Sequence, residues 1–194
     1  HKEAGLSAIV DLICAADAPD KGTIRRSHSI SWAIPSSGFI HKHHSLATSA
    51  RFIARLYEVD ETEFLTKISE MAELGDVLNT RADKCPKEAL ARFSFYSGVC
   101  LPFDRYIFSG GFMGGKAERE RRAEVMSDLS TRAGLLMVTQ DIKTAQQFCD
   151  QAYVFDGGRV THFDNMEAAA EFFGAVAAQG ATRKSRTRVV SSKT

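Results

Sequence analysis

Two short apolar runs constrain this chain most. FDRYIF (residues 103–108) and GLLMVT (residues 134–139) are strand-length and rich in aromatic and branched residues, and a charged helical segment, residues 116–131, separates them. Strand, helix and strand in that order predict a parallel sheet buried on both faces, because a parallel connection needs a crossover that covers the sheet. The first run ends on Ser109, Gly110 and Gly111. Sheets of this kind deliver functional residues at the carboxyl ends of their strands. Nothing at this end binds a metal or moves a proton, and that is the question the sequence raises.

The flanking pattern extends the alternation. Residues 7–16, 49–57, 61–78, 86–99, 141–150 and 165–173 read as helices. Pro86 suits the first turn of its helix. In residues 49–57, Phe52, Ile53, Leu56 and Tyr57 form one stripe, expected to be mostly core. Residues 23–34 suggest short strands and a loop. Residues 152–155 and 159–163, joined by Asp156-Gly157-Gly158, predict a hairpin. Residues 174–194 are expected to be a basic, disordered tail, with five Lys or Arg from Arg183 onward that read as inert rather than as a lipid contact. The balance of 25 basic against 24 acidic residues gives a net charge of +1 and offers no electrostatic footprint for nucleic acid. No run reaches the roughly 18 apolar residues of a membrane span. Cys14, Cys85, Cys100 and Cys149 are scattered without a CxxC pair, which predicts four buried thiols.

Two local patterns invite a sharper reading and do not sustain it. His41-Lys42-His43-His44 could suggest a metal, but neighbouring loop histidines point different ways and no nearby acid or Cys completes a shell. SGGFMGG (residues 109–115) resembles a phosphate loop without its Lys or the helix-start spacing.

The order of the pieces resembles the ATP-binding subunits of ABC transporters, above all those that export capsular polysaccharide. The matching segments are SW (31–32), FIARLY (52–57), MAELGDVL (71–78), FDRYIF (103–108) and LLMVTQDIKTAQQFCDQAYVFDGGRV (135–160). The resemblance spans roughly residues 1–173. It implies an α/β, P-loop NTPase-like core with a mostly parallel sheet and an inserted helical subdomain at about residues 46–101. It further implies that the chain starts inside the P-loop, with the amino-terminal strands absent.

Carried over residue by residue, the family's nucleotide site is substituted at most positions. The P-loop end falls on Gly5-Leu6-Ser7-Ala8, so the phosphate-binding Lys becomes Leu6, and Glu3 stands where the family has glycine. Ser7, the possible magnesium ligand, is kept. The Gln that senses magnesium and the attacking water becomes His41. The signature segment falls on Cys85-Pro86-Lys87-Glu88, without its Ser and Gly. The Walker B Asp-Glu pair becomes Ser109-Gly110, the following loop lacks its Asp, and the switch His becomes Gln140. A carboxylate at Glu3 would repel a phosphate charge by about 4 kcal/mol at roughly 4 Å and an effective dielectric of about 20. Phosphoryl transfer rests on positioning and charge stabilisation, so hydrolysis by this chain alone is not expected. ATP and Mg are implied by the family, and no cofactor is expected for the chain alone.

The resemblance implies a membrane permease as partner, a homodimer or a heterodimer with another ATPase subunit, and a cytoplasmic location at the inner face of the membrane. The leading expectation is a degenerate subunit serving as scaffold or regulator, with Lys42, His44 and Arg51 as docking probes. The alternatives are a composite dimer activated by an intact partner, and a soluble protein-binding module detached from transport.

Overall fold

Strand β2 (Arg105–Ser109) forms because Tyr106, Ile107 and Phe108 are apolar on both faces, and all three are buried. It pairs in parallel with β3 (Gly134–Thr139), from Arg105 opposite Gly134 to Ser109 opposite Val138. The space beside Gly134 is filled by the end of the flexible Arg105 side chain, which a Cβ there would push aside. The crossover is α5 (Lys116–Arg132), which buries Met126 and Leu129 and packs on β3.

This computed structural model describes residues 4–35, 38–110, 114–156, 159–180 and 188–193, with backbone alone at 4–7, 177–180, 188–189 and 193. The chain divides into two compact units, His1–Ala33 with Phe103–Thr194, and Ile34–Pro102. The helical insert expected over residues 46–101 falls inside the second.

The first unit is built on a six-stranded sheet of order β1-β2-β3-β6-β4-β5, with β1 at Ile30–Ile34, β4 at Gln151–Asp156, β5 at Arg159–Phe163 and β6 at Arg188–Lys193. β4 and β5 make the expected antiparallel hairpin. Two expectations are corrected here. The sheet is not mostly parallel: β6 pairs antiparallel with both β3 and β4. Since β3 and β4 are each antiparallel to β6, they run in the same direction as each other. The second correction concerns the tail. Helix α7 runs from Met166 to Gly180, past the predicted end at residue 173, and Arg188–Lys193 is a strand within the sheet. The backbone ladders to β3 and β4 order a segment whose side chains show no periodicity. Helix α1 (Ala4–Ile13) places Val10 in a small core with Val138 of β3 and Val190 of β6, and α6 (Ile142–Phe148) connects β3 to β4. In the stretch 23–34 only β1 is a strand.

β1 is tied to the foot of β2 by polar contacts. The Ser29 N–H and hydroxyl both donate to Asp104 Oδ2 at 2.8 Å, and the Asp104 N–H donates back to Ser29 Oγ at 2.9 Å. Ile107 N donates to Ser31 Oγ at 2.9 Å.

The second unit is helical. It comprises α2 (Leu46–Leu56), capped by Ser45, α3 (Glu61–Met71), capped by Asp60, and α4 (Lys87–Val99), which follows Pro86. The stretch predicted as one helix to residue 78 breaks after Met71, where Glu73 and Gly75 take positive φ, and resumes as a 3₁₀ turn at Gly75–Asn79. All four cysteines are thiols; Cys100 and Cys149 are buried, whereas Cys14 and Cys85 are only half-buried. Burial pushes the Cys100 thiol up to about 12. No described helix is long and apolar enough to cross a membrane.

The Ser29 hydrogen bonds, led by its backbone N–H, hold the Asp104 carboxyl below its ordinary range. A depressed carboxyl contributes stability above its unfolded value, about pH 4, and loses it as pH falls through the folded value. Ser29→Ala should therefore lower the melting temperature at neutral pH, and the gap to wild type should close on acidification below about pH 4. Thermal melts between pH 7 and pH 2.5 check this.

Candidate functional site

Two regions meet the expectations for function. The first is the carboxyl end of the β2–β3 pair. Parallel register brings Ser109 beside Val138, so Gly110 lies level with Thr139, one residue before Gln140. Gly110 turns away with φ +90° while its N–H donates to Val138 O at 2.9 Å. Ser109 is half-buried, and Gly110 and Gln140 are exposed. The next carboxylate in the chain, Asp141, is committed to the start of α6. Its Oδ2 accepts from the Thr144 hydroxyl at 2.7 Å and its Oδ1 from Thr144 N at 3.3 Å, and these bonds hold its carboxyl below the ordinary range. Its own N–H donates to Thr139 Oγ1 at 2.9 Å.

Of the other predicted nucleotide positions, Gly5, Leu6, Ser7 and Ala8 lie in the first turns of α1, with only the backbone described at the first three. Glu3 and residues 111–113 lie outside the described residues. His41 belongs to the second unit.

The second region is a groove of about 670 Å³ in the helical unit, between the segment around Phe39 and the outer face of α2. Phe39 and Phe52 line it with ring centroids 6.3 Å apart, and His41, His44, Arg51 and Arg55 surround them. Phe52 is 55% exposed and Leu56 52%. The expectation that Phe52 and Leu56 are core is thus overturned, while Ile53 is fully buried. The buried face of α2 is made instead by Leu46, Ala47, Ser49, Ala50, Ile53 and Ala54. Small residues let α2 approach α3 closely, and they leave the larger apolar side chains on a different face. The alanines at 47, 50 and 54 were the available signal, and stripe-reading by side-chain size missed it.

The histidine loop is exposed but pinned. Ala82 N donates to His44 O at 2.9 Å and Asp83 N to Lys42 O at 3.0 Å. The ring of His41 lies 5.5 Å from that of His43 and 4.8 Å from that of His44. They therefore converge, contrary to the expectation that they diverge, and Asp83 Oδ2 comes within 3.9 Å of His43 Nδ1. Still, no group of three or more potential ligands among the described residues could hold a metal ion. Arg55 is engaged by Glu61, at 2.6 Å from Nε to Oε1, and this bond lowers the Glu61 carboxyl. Lys42 and Arg51 are exposed at the surface.

Comparison with known proteins decides the family. The chain is 30% identical over 173 residues to the ATP-binding protein BexA of Haemophilus influenzae, covering 88% of this chain and 79% of BexA. The chain belongs to the ATP-binding subunits of ABC transporters, in the capsule polysaccharide export group. It is 27% identical over 175 residues to the capsule polysaccharide export ATP-binding protein CtrD of Neisseria meningitidis serogroup B, covering 89% of this chain and 81% of that one. With the polysialic acid transport ATP-binding protein KpsT of Escherichia coli it shares 26% identity over 172 residues, 87% of this chain and 77% of KpsT. No family model matches the sequence. Among solved structures, an ATP-binding subunit of an ABC transporter superposes with TM-score 0.68 at 20% identity, over 87% of this chain and 78% of that one. RNase-L inhibitor superposes with TM-score 0.65 at 13% identity, over 89% of this chain and 35% of that longer one. Both likenesses concern the fold.

The two faces of α2 separate stability from surface chemistry. Ile53→Ala should cost about 2–5 kcal/mol, as deletion of a fully buried side chain does. Phe52→Ser should stay within about 0.5 kcal/mol of wild type. Urea titrations of both variants provide the check.

Proposed function

We propose that this chain is a non-hydrolysing subunit of a polysaccharide exporter, at the inner face of the membrane, and that it docks a membrane permease through its helical unit. The groove carries the reading: exposed Phe52 and half-buried Phe39 make its apolar floor, with His41, His44, Arg51 and Arg55 around them, and exposed Leu56 and Lys42 lie close by in the chain. An exposed apolar patch rimmed by polar residues suits a protein partner, and a few central contacts dominate such interfaces. The names of CtrD and KpsT supply the substrate class, a capsular or sialic-acid polymer.

The strand ends support the loss of catalysis. Magnesium bound to a triphosphate takes protein oxygens from a carboxylate beside the phosphates. At the ends of β2 and β3 the described donors are a hydroxyl at Ser109, a glycine and the Gln140 amide, with Asp141 engaged by Thr144. This donor set does not fit magnesium-ATP, and no step is drawn through it.

Three outcomes test this reading. Isothermal titration of the purified chain with magnesium-ATP should show no micromolar binding, and Leu6→Lys alone should restore no turnover, because residues that act as a unit are not additive. Charge reversal at Lys42 and Arg51 should weaken co-purification with the permease without lowering the melting temperature. Unchanged co-purification, or a wild type that binds no permease, would favour a module detached from transport. Turnover that appears only on mixing with an intact ATPase subunit would favour the composite dimer.

A further inference from the structure

Charge is distributed unevenly in the groove on α2. None of the described residues that line it is acidic, while Arg51 and Arg55 both do, with the imidazoles of His41 and His44 beside them. Thr48, Arg51, Phe52 and Arg55 recur at spacings of three and four, so they share one face of the helix. The two arginines differ in what they already hold. Glu61 accepts from Arg55 Nε at 2.6 Å and from its Nη2 at 3.4 Å, a pair that closes locally between the end of α2 and the start of α3. Arg51 is exposed, and its side chain makes no hydrogen bond or ion pair among the described residues. It reaches Glu61 only through a longer-range attraction. In water such a guanidinium costs nothing. Once a partner covers the floor made by Phe39 and Phe52, Arg51 beside it loses that water, and a covered cation without a counter-charge is strongly unfavourable.

We infer that the groove selects a permease segment in which a carboxylate stands beside an apolar anchor, and that Arg51, not Arg55, reads that carboxylate. The inference rests on the docking reading above and adds the partner's chemistry to it. The anchor packs on Phe39 and Phe52, and the carboxylate accepts the two parallel hydrogen bonds that a guanidinium offers. A segment with Lys or Arg at that place is rejected by like charge, so the same residue supplies selectivity as well as affinity. Lys42 is not among the described lining residues, and its charge acts on the rate of encounter.

The test has two arms, both on the full 194-residue chain. In the first, hydrocinnamate and phenethylamine, an aryl carboxylate and an aryl ammonium with the same linker, are titrated while NMR shifts are followed. The acid should shift Phe39, Arg51 and Phe52 saturably in the millimolar range, and the amine should not. Arg51→Gln should weaken the acid roughly tenfold, as loss of a charge-assisted pair does. Replacing Arg55→Gln together with Glu61→Gln, which removes that pair without freeing Glu61, should change it by less than about twofold. In the second arm, co-purification with the permease should weaken as salt rises, and Arg51→Gln should bind more weakly and lose most of that dependence. Among peptides tiling the permease, the one retained should carry an Asp or Glu next to an aromatic residue or Leu. Replacing that acid by Lys should abolish binding to wild type and restore binding to Arg51→Glu. Absence of a saturable shift with hydrocinnamate, equal binding of the two probes, or equal losses for Arg51→Gln and the paired replacement overturns the inference and leaves the docking reading in place. A wild type that binds no permease overturns both.

Discussion

The parallel ladder between β2 and β3 sets the level at which everything above it sits. Its foot is fixed by Gly134 N donating to Asp104 O at 3.0 Å. Its head is fixed by Gly110 N on Val138 O. Between them Tyr106, Ile107, Phe108, Leu135, Met137 and Val138 are buried, each contributing about 1.5–3 kcal/mol of burial. None of that energy depends on what the strands carry at their ends. The side chains of Ser109 and Gln140 lie outside that apolar packing, half-buried and exposed respectively, whereas Gly110 holds its place by its positive φ.

The helical unit obeys a different constraint. α2 uses its small residues for contact with α3, so Phe52 and Leu56 are left outward, with Phe52 beside Phe39. Keeping large apolar side chains in water is unfavourable unless something covers them. The surrounding loop is held by bonds from Ala82 and Asp83 to His44 and Lys42. A surface built this way presents its contacts already positioned, and preorganisation reduces the ordering cost of binding.

The sequence made the β2–β3 pair and the β4–β5 hairpin legible because both are short apolar runs between turn residues. The crossover α5 was legible from its charge pattern and length. β6 was not, since RVVSSK follows a run of basic and small residues and gains its structure from two neighbours far away in the chain. Likewise, Phe52 and Leu56 obey the helical spacing of a core stripe, and the alanines at 47, 50 and 54 show which face is buried. The strand-end residues Ser109, Gly110 and Gln140 could be placed from pattern and resemblance. The convergence of His41, His43 and His44 could not, because it depends on how residues 80–83 grip the loop.

The buried hydroxyl of Ser191 in β6 and the hydroxyl of Ser109 at the end of β2 follow one physical rule. A sheet is held by backbone pairing and apolar burial, which tolerate many side chains, whereas a site needs particular groups at particular atoms. β6 can complete the ladders of β3 and β4 with a serine in an apolar place because ten register pairs, five on each edge, outweigh one unpaired hydroxyl. Ser109 can end β2 for the same reason. Function is then to be sought where side-chain identity is not dictated by packing, and on α2 that is the outward face, where Phe52 and Leu56 are exposed.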